Sequence, residues 1–112
     1  MATVREFTFP SSDGSHAVHA MEWRPEEAPR AVVQIVHGVS EYVGRYDAFA
    51  RFLADHGFVV CGEDHLGHGK TAKGPEEYGY FTEWWDLVRD VRALQVRMKE
   101  QYPCLLYTSR CV

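Results

Sequence analysis

The stretch that decides the fold begins at Ala31-Val32-Val33-Gln34-Ile35-Val36, passes through His37-Gly38-Val39-Ser40-Glu41 and Arg45–His56, and ends in Gly57-Phe58-Val59-Val60-Cys61-Gly62. Its first six residues are almost continuously apolar and β-branched, the pattern of a central strand covered on both faces. From Arg45 to His56 the apolar positions Tyr46, Phe49, Phe52 and Leu53 recur at helical spacing, and Gly57 supplies the residue that ends the helix. A second apolar run, Phe58 to Gly62, follows at once. Strand, loop, helix, strand is a βαβ unit, which predicts a right-handed crossover and parallel strands.

Working outward, Val4, Phe7 and Phe9 precede a Pro10-Ser11-Ser12-Asp13-Gly14-Ser15 cluster, and Ala17 to Trp23 follows with rough alternation. This predicts a β-hairpin with one wet face, and so a mixed sheet that is antiparallel first and parallel afterwards. Downstream, Glu63 to Tyr80 is a long loop with glycines at 67, 69, 74 and 79. Thr82 is the expected N-cap of a second helix, with Trp84, Val88, Val91, Leu94, Met98 and Tyr102 on one stripe and Pro103 at its end. The fold class is therefore α/β.

Of the 112 residues, 46% are hydrophobic and 25% charged, which excludes collagen-like and disordered chains. The length fits one domain, although an α/β fold often needs roughly 200–250 residues to cover both sheet faces. Twelve Lys+Arg against sixteen Asp+Glu leave a formal charge of −4, which argues against nucleic acid as a partner. No apolar run approaches the ~18 residues of a membrane span. The first residues carry no apolar signal region, so the cytoplasm is the expected compartment. Three cysteines make no disulfide framework; Cys61 reads as a small buried hydrophobe, whereas Cys104 and Cys111 crowd into the tail.

Several motifs offer chemistry. His37-Gly38 lies where a parallel strand ends, the place where ligands gather in α/β sheets, and the glycine lets backbone approach a substrate. Asp64-His65-Leu66-Gly67-His68-Gly69-Lys70-Thr71 ends like a phosphate loop, but Asp64 stands where that pattern needs glycine. Asp64, His65 and His68 could also ligate a metal, without a clear third and fourth ligand spacing. The plainer account is a tight loop whose Asp64 and histidines hydrogen-bond its own backbone. Gly38-Val39-Ser40-Glu41-Tyr42 is a near miss to a G-x-S-x-G nucleophile elbow, because Tyr42 replaces the last glycine. The aromatic stretch Tyr78 to Trp85 either lines an acyl pocket or staples a helix into the core.

His37-Gly38-Val39-Ser40-Glu41 with Gly44-Arg45-Tyr46, the Ala54–Val60 helix-strand junction, and Asp64-His65-Leu66-Gly67-His68-Gly69 together resemble the N-terminal part of α/β-hydrolases of the monoacylglycerol lipase and lysophospholipase type, serine aminopeptidase S33-like enzymes. The resemblance covers about residues 3–103 and implies a carboxylic ester hydrolase of lipid metabolism on a mostly parallel sheet. It implies a Ser-His-Asp triad, no metal and no organic cofactor, and a lipid-like ester as substrate. Carried to this chain, the backbone amide of Val39 is one oxyanion-hole donor. His37, Gly38, Asp64, His65, Gly67, His68 and Gly69 are turn-forming and structural, and Asp64 is no triad member.

The departure comes at the end. Where the family runs from a strand into G-H-S-x-G, this chain gives Cys104-Leu105-Leu106-Tyr107-Thr108-Ser109-Arg110-Cys111-Val112. Nucleophile, acid, histidine and a membrane-contacting lid are expected downstream. Residues 3–103 thus read as a partial domain, inactive by itself, and 104–112 as an aberrant tail resembling translated adapter sequence. Two alternatives stay open: a small α/β nucleotide- or metal-binding module using the Asp64–Thr71 loop, and a truncated protein acting by pairing with another chain.

Overall fold

The computed structural model describes residues 2–38, 41–79, 81, 83–103 and 105–111, without side chains over 106–111. Along the chain run β1 (Thr3–Pro10), β2 (Ala17–Arg24), β3 (Ala31–Val36), α1 (Asp47–Asp55), β4 (Phe58–Glu63), α2 (Trp84–Gln101) and β5 (Leu106–Cys111). Among the described residues these strands form one sheet in the order β1-β2-β4-β3-β5. β1 pairs antiparallel with β2 and β2 with β4, whereas β3 is parallel to both β4 and β5. The mixed sheet and the βαβ unit are as the apolar pattern predicts.

Alternation along each strand divides the core into two layers. On one face Phe9, Val18, Ala20, Val32, Val59 and Cys61 pack against Leu94 and Met98 of α2. On the other, Trp23, Ile35 and Val60 meet Val43 and the small Ala50 and Ala54 of α1. Each large side chain so buried contributes about 1.5–3 kcal/mol. Gly62 has no side chain because there is no room for one: a Cβ there would collide with the Val43 side chain and lie 3.0 Å from the Ile35 carbonyl oxygen. Two buried polar groups in these layers are matched within the fold. The Gln34 amide donates to the Val91 carbonyl at 3.1 Å, and Trp23 Nε1–H donates to Asp47 Oδ1 at 2.9 Å.

Three expectations need correction. Of the hairpin's two strands only β1 keeps a wet face; β2 lies between β1 and β4, so Val18, His19, Ala20, Glu22 and Trp23 are all buried. The first helix starts at Asp47 rather than Arg45, because Val43–Tyr46 forms a tighter 3₁₀ turn. The Val43 N–H is drawn to Asp64 Oδ1 at 2.7 Å, which tightens the entry. Ala50 and Ala54 carry this helix's buried face, leaving Phe49 and Phe52 exposed.

The third correction concerns α2. Glu83 is its N-cap, and the expected cap, Thr82, lies outside the described residues. Its buried stripe is Asp86, Asp90, Leu94 and Met98, while Trp84 is 62% exposed and Val88 39%. The loop after β1 sets this rotation. Ser11 Oγ–H donates to Asp90 Oδ2 at 2.7 Å, the Ser12 N–H to Asp90 Oδ1 at 2.8 Å, and Ser12 Oγ–H to Asp86 Oδ1 at 2.9 Å. Charge-assisted bonds of this kind are about twice as strong as neutral ones. β5 pairs along β3 from Ala31↔Leu106 to Val36↔Cys111.

Candidate functional site

β3 and β4 end side by side, Ile35 opposite Gly62, so the turn after β3 and the loop after β4 rise from one edge of the sheet. His37 opens the turn and is buried. Its Nδ1 lies 2.8 Å from the Gly38 carbonyl oxygen and its Nε2 3.0 Å from the His65 backbone nitrogen. A carbonyl only accepts and a backbone N–H only donates, so His37 is neutral with its proton on Nδ1. Burial, helped by neighbouring His65, pushes it down to about 4.

Glu41 closes the turn. Its Oε1 accepts the Gly38 N–H at 2.9 Å and the Tyr46 hydroxyl at 2.8 Å, and Arg45 Nε lies 3.8 Å from Oε2. The Tyr46 hydroxyl and the Gly38 N–H hold its carboxyl below the usual glutamate range. Here is the physical content of H-G-x-x-E followed by G-R-Y: the glutamate ties the turn's first amide, and the tyrosine and arginine tie the glutamate. Val39, the expected oxyanion donor, and Ser40, weighed as a nucleophile, lie outside the described residues.

The loop after β4 is organised by Asp64. Its Oδ1 accepts the Val43 N–H at 2.7 Å; its Oδ2 faces His19 Nδ1 at 2.7 Å and accepts the Lys70 N–H at 3.0 Å. Burial alone would raise the Asp64 carboxyl, but the bonds from His19, Val43 and Lys70 outweigh it and hold it below the usual aspartate range. On its other side His19 Nε2 meets Glu6 Oε1 at 2.7 Å. Two carboxylates call for two ring N–H groups, and the contacts with Asp64 and then Glu6 raise His19 above the ordinary histidine range. Thr71 Oγ1 finishes the knot, donating to the Asp64 carbonyl at 2.6 Å and accepting the His19 N–H at 3.0 Å. Gly69 makes it possible: its φ is +49°, and a Cβ there would lie 2.5 Å from the Asp64 carboxyl carbon.

The predicted residues therefore fall into two groups. His37, Gly38, His65 and His68 line one cavity of about 470 Å³, walled otherwise by Val36, Phe81, Trp84, Leu87, Val88 and Val91. Asp64 and Gly69 belong to the knot on the side of His19 and Val43. Gly67 joins the loop to its far end by accepting the Gly79 N–H at 2.7 Å. Tyr78 and Trp85 stay exposed, so this stretch is not stapled into the core as a whole, although Phe81 and Trp84 do wall the cavity.

This geometry weakens both alternative chemistries. The Lys70 N–H is spent on Asp64 and its ammonium on Glu6 at 3.1 Å, so the loop presents neither to a phosphate. Asp64 is saturated by internal donors, His65 Nε2 faces the His37 carbonyl at 3.2 Å, and His68 Nδ1 faces the Leu66 carbonyl at 2.9 Å. Among the described residues no three His, Cys, Asp or Glu side chains are arranged to hold a metal ion. Sequence reasoning missed the roles of Glu41, Tyr46 and His19. For the first two the spacing inside H-G-x-x-E and G-R-Y was the available signal; for His19, on a distant strand, there was none.

A family profile described as serine aminopeptidase, S33 matches residues 27–109. The chain is 31% identical over 105 residues to human monoglyceride lipase, spanning 88% of this chain and 34% of that protein. It is 35% identical over 86 residues to the monoglyceride lipase homolog of monkeypox virus, spanning 77% and 30%. Among solved structures, a thermostable carboxyl esterase from Bacillus coagulans superposes with a TM-score of 0.87 at 33% identity, over 97% of this chain and 36% of that one. Monoglyceride lipase from Saccharomyces cerevisiae has a TM-score of 0.74 at 17% identity, over 99% and 33%, a likeness of fold. The architecture is that of α/β-hydrolases, and the chain spans about a third of the length of these relatives.

Proposed function

Because the chain belongs to the serine aminopeptidase S33 family, we propose that it carries the oxyanion-turn portion of a serine ester hydrolase acting on monoacylglycerol or lysophospholipid-like esters. The observation that carries this reading is the turn after β3, where Glu41 pins the Gly38 N–H at 2.9 Å and His37 is held neutral beneath it. The next amide, that of Val39, is the donor this reading assigns to a developing oxyanion. Preorganised donors of this type act where charge appears in the transition state. The nucleophile, its histidine and the triad acid lie downstream of residue 112 in this account, and the residue after the nucleophile donates the second N–H. His37, Gly38, Asp64, His65, Gly67, His68 and Gly69 shape the turn and its supporting loop. The cavity between His37, Gly38, His65 and His68 on one side and α2 on the other, apolar along Leu87, Val88 and Val91, supports an acyl group as the part of the substrate held here.

Residues 3–103 are the native partial domain in this proposal and 104–112 a non-native tail. No described helix is long and apolar enough to cross a membrane. We place the whole enzyme in the cytoplasm, meeting lipid surfaces through a downstream lid and not binding nucleic acid. The test is covalent labelling with a fluorophosphonate, which marks activated serines. The full-length protein from the same locus is expected to be labelled at a serine beyond residue 112 and to hydrolyse monoacylglycerols, while the 112-residue chain stays unlabelled. Labelling of Ser40 in this chain would overturn the reading.

A further inference from the structure

Beside Asp64 stands a carboxyl that the turn and the knot leave unused. Glu63 is the last residue of β4, is 1% exposed, and has no hydrogen-bond partner at either carboxyl oxygen. A second orphan sits next to it: His65 Nδ1, buried and unpartnered, 3.9 Å from Glu63 Oε2. The His65 tautomer is fixed from the other side, because Nε2 faces the His37 carbonyl oxygen at 3.2 Å. Nε2 therefore carries the proton, and Nδ1 presents a lone pair that needs a donor. A carboxylate has nothing to donate. A neutral carboxylic acid has one O–H.

We propose that Glu63 is a positioning residue, a neutral carboxylic acid whose O–H donates to His65 Nδ1 and thereby locks the His65–His37 pair beneath the Gly38 turn. This rests on the esterase reading, since the turn it steadies is the one assigned to the oxyanion. The pair lies 3.9 Å apart, beyond hydrogen-bond length yet closer than the roughly 4.5 Å that a water about 2.8 Å from each atom would impose, so a small side-chain rotation that brings them within about 3 Å makes the bond a direct one. The surroundings keep the proton on the acid. Burial raises Glu63 well above the usual range, and Asp90 of α2 and Asp64 push the same way. Burial also holds His65 below the ordinary histidine range. His68, with its ring centroid 6.4 Å from that of His65, opposes a further positive charge there. Across the sheet, the β2 residue paired with Glu63 is the uncharged Ala20. Moving the proton to His65 would leave the proton count unchanged and place a carboxylate and an imidazolium inside the fold.

The test uses the 112-residue chain and needs no turnover. Near neutral pH, infrared spectra are expected to show the carbonyl stretch of a neutral carboxylic acid, absent from Glu63→Gln. Nitrogen NMR is expected to show neutral His65 with its proton on Nε2. Glu63→Gln, whose amide donates from the same place, retains that tautomer and the slow exchange of the Gly38 amide. Glu63→Leu, with no donor, keeps the tautomer that the His37 carbonyl fixes, but its His65 Nδ1 resonance moves to that of an unbonded imidazole nitrogen and its Gly38 amide exchanges about tenfold faster, the scale of one lost hydrogen bond. A missing acid band with His65 protonated on both nitrogens overturns the proposal, as does an unchanged Nδ1 resonance and exchange rate in folded Glu63→Leu. If the leucine variant does not fold, the infrared band and the glutamine variant still decide. None of these outcomes depends on what the full-length protein hydrolyses, so failure of this proposal and failure of the esterase reading are told apart.

Discussion

On one side of the β4 end, Asp64 gathers the Val43 and Lys70 N–H groups and the ring of His19, with no acceptor site wasted. One residue earlier, neither carboxyl oxygen of Glu63 has a hydrogen-bond partner, and His65 Nδ1 stands 3.9 Å from Oε2. The histidines follow the same division. His19 and His16 each sit between two carboxylates and are raised, whereas His37 and His65 face backbone and one another and are lowered. A charged knot holds the loop in place; a neutral, sparsely satisfied cluster lies under the turn. Adjacent residues of one strand end reach these opposite states because alternation sends them to different sides of the sheet.

The knot should be costly to break. Asp64→Ala strands an imidazolium and two backbone donors, and we expect a loss of about 3–5 kcal/mol, measured by urea denaturation. A loss no larger than that of a surface substitution would show that the loop's order comes from elsewhere. Gly69→Ala attacks the same knot from the backbone: left-handed φ costs roughly 1–2 kcal/mol for an L-residue, and the contact with Asp64 adds to it. The turn is held by fewer bonds, so Glu41→Ala should leave global stability nearly unchanged yet speed exchange of the Gly38 amide. Equal protection in both proteins would remove Glu41 from the turn.

The smallest effect separates the two regions by pH. His19, raised by Asp64 and Glu6, and His16, raised by Glu77 and Asp13, stabilise fully below about 6.5 and lose that contribution as pH rises through their folded values. His37 and His65 are lowered, so the unfolded chain binds more protons below about 6.5, and stability falls as pH drops, for His37 toward about 4. Stability should therefore peak near the ordinary histidine range. His19→Gln should flatten the alkaline limb and spare the acid one; the reverse would exchange the roles of the two regions.

Much of this was legible in the chain. The apolar run 31–36, the glycine at 57 and the run after it specified the βαβ unit, and Gly57 does follow the helix with a φ of +94°. The plain reading of the Asp64 loop, a carboxylate bonded to its own backbone, also matches the geometry. What escaped depends on partners far away in sequence. Ser11 and Ser12 choose which stripe of α2 is buried, so a periodicity that counts only apolar residues placed Trp84 and Val88 in the core. Glu63 looked like the end of a strand, and nothing local announces that Asp90 and His65 will enclose it.

The central claim is that the turn after β3 offers a backbone donor to an oxyanion, and the most direct measurement compares turnover of Val39→Pro and Val39→Ala in the full-length protein. Proline deletes the N–H, and loss of one oxyanion donor costs about 10²–10³ in turnover, or roughly 2.7–4 kcal/mol. Alanine keeps the amide and trims only the side chain; it controls for the restriction that proline imposes on Gly38. The account predicts that Val39→Ala retains most activity while Val39→Pro loses it at a nearly unchanged melting temperature. Equal activity in the two variants would contradict it.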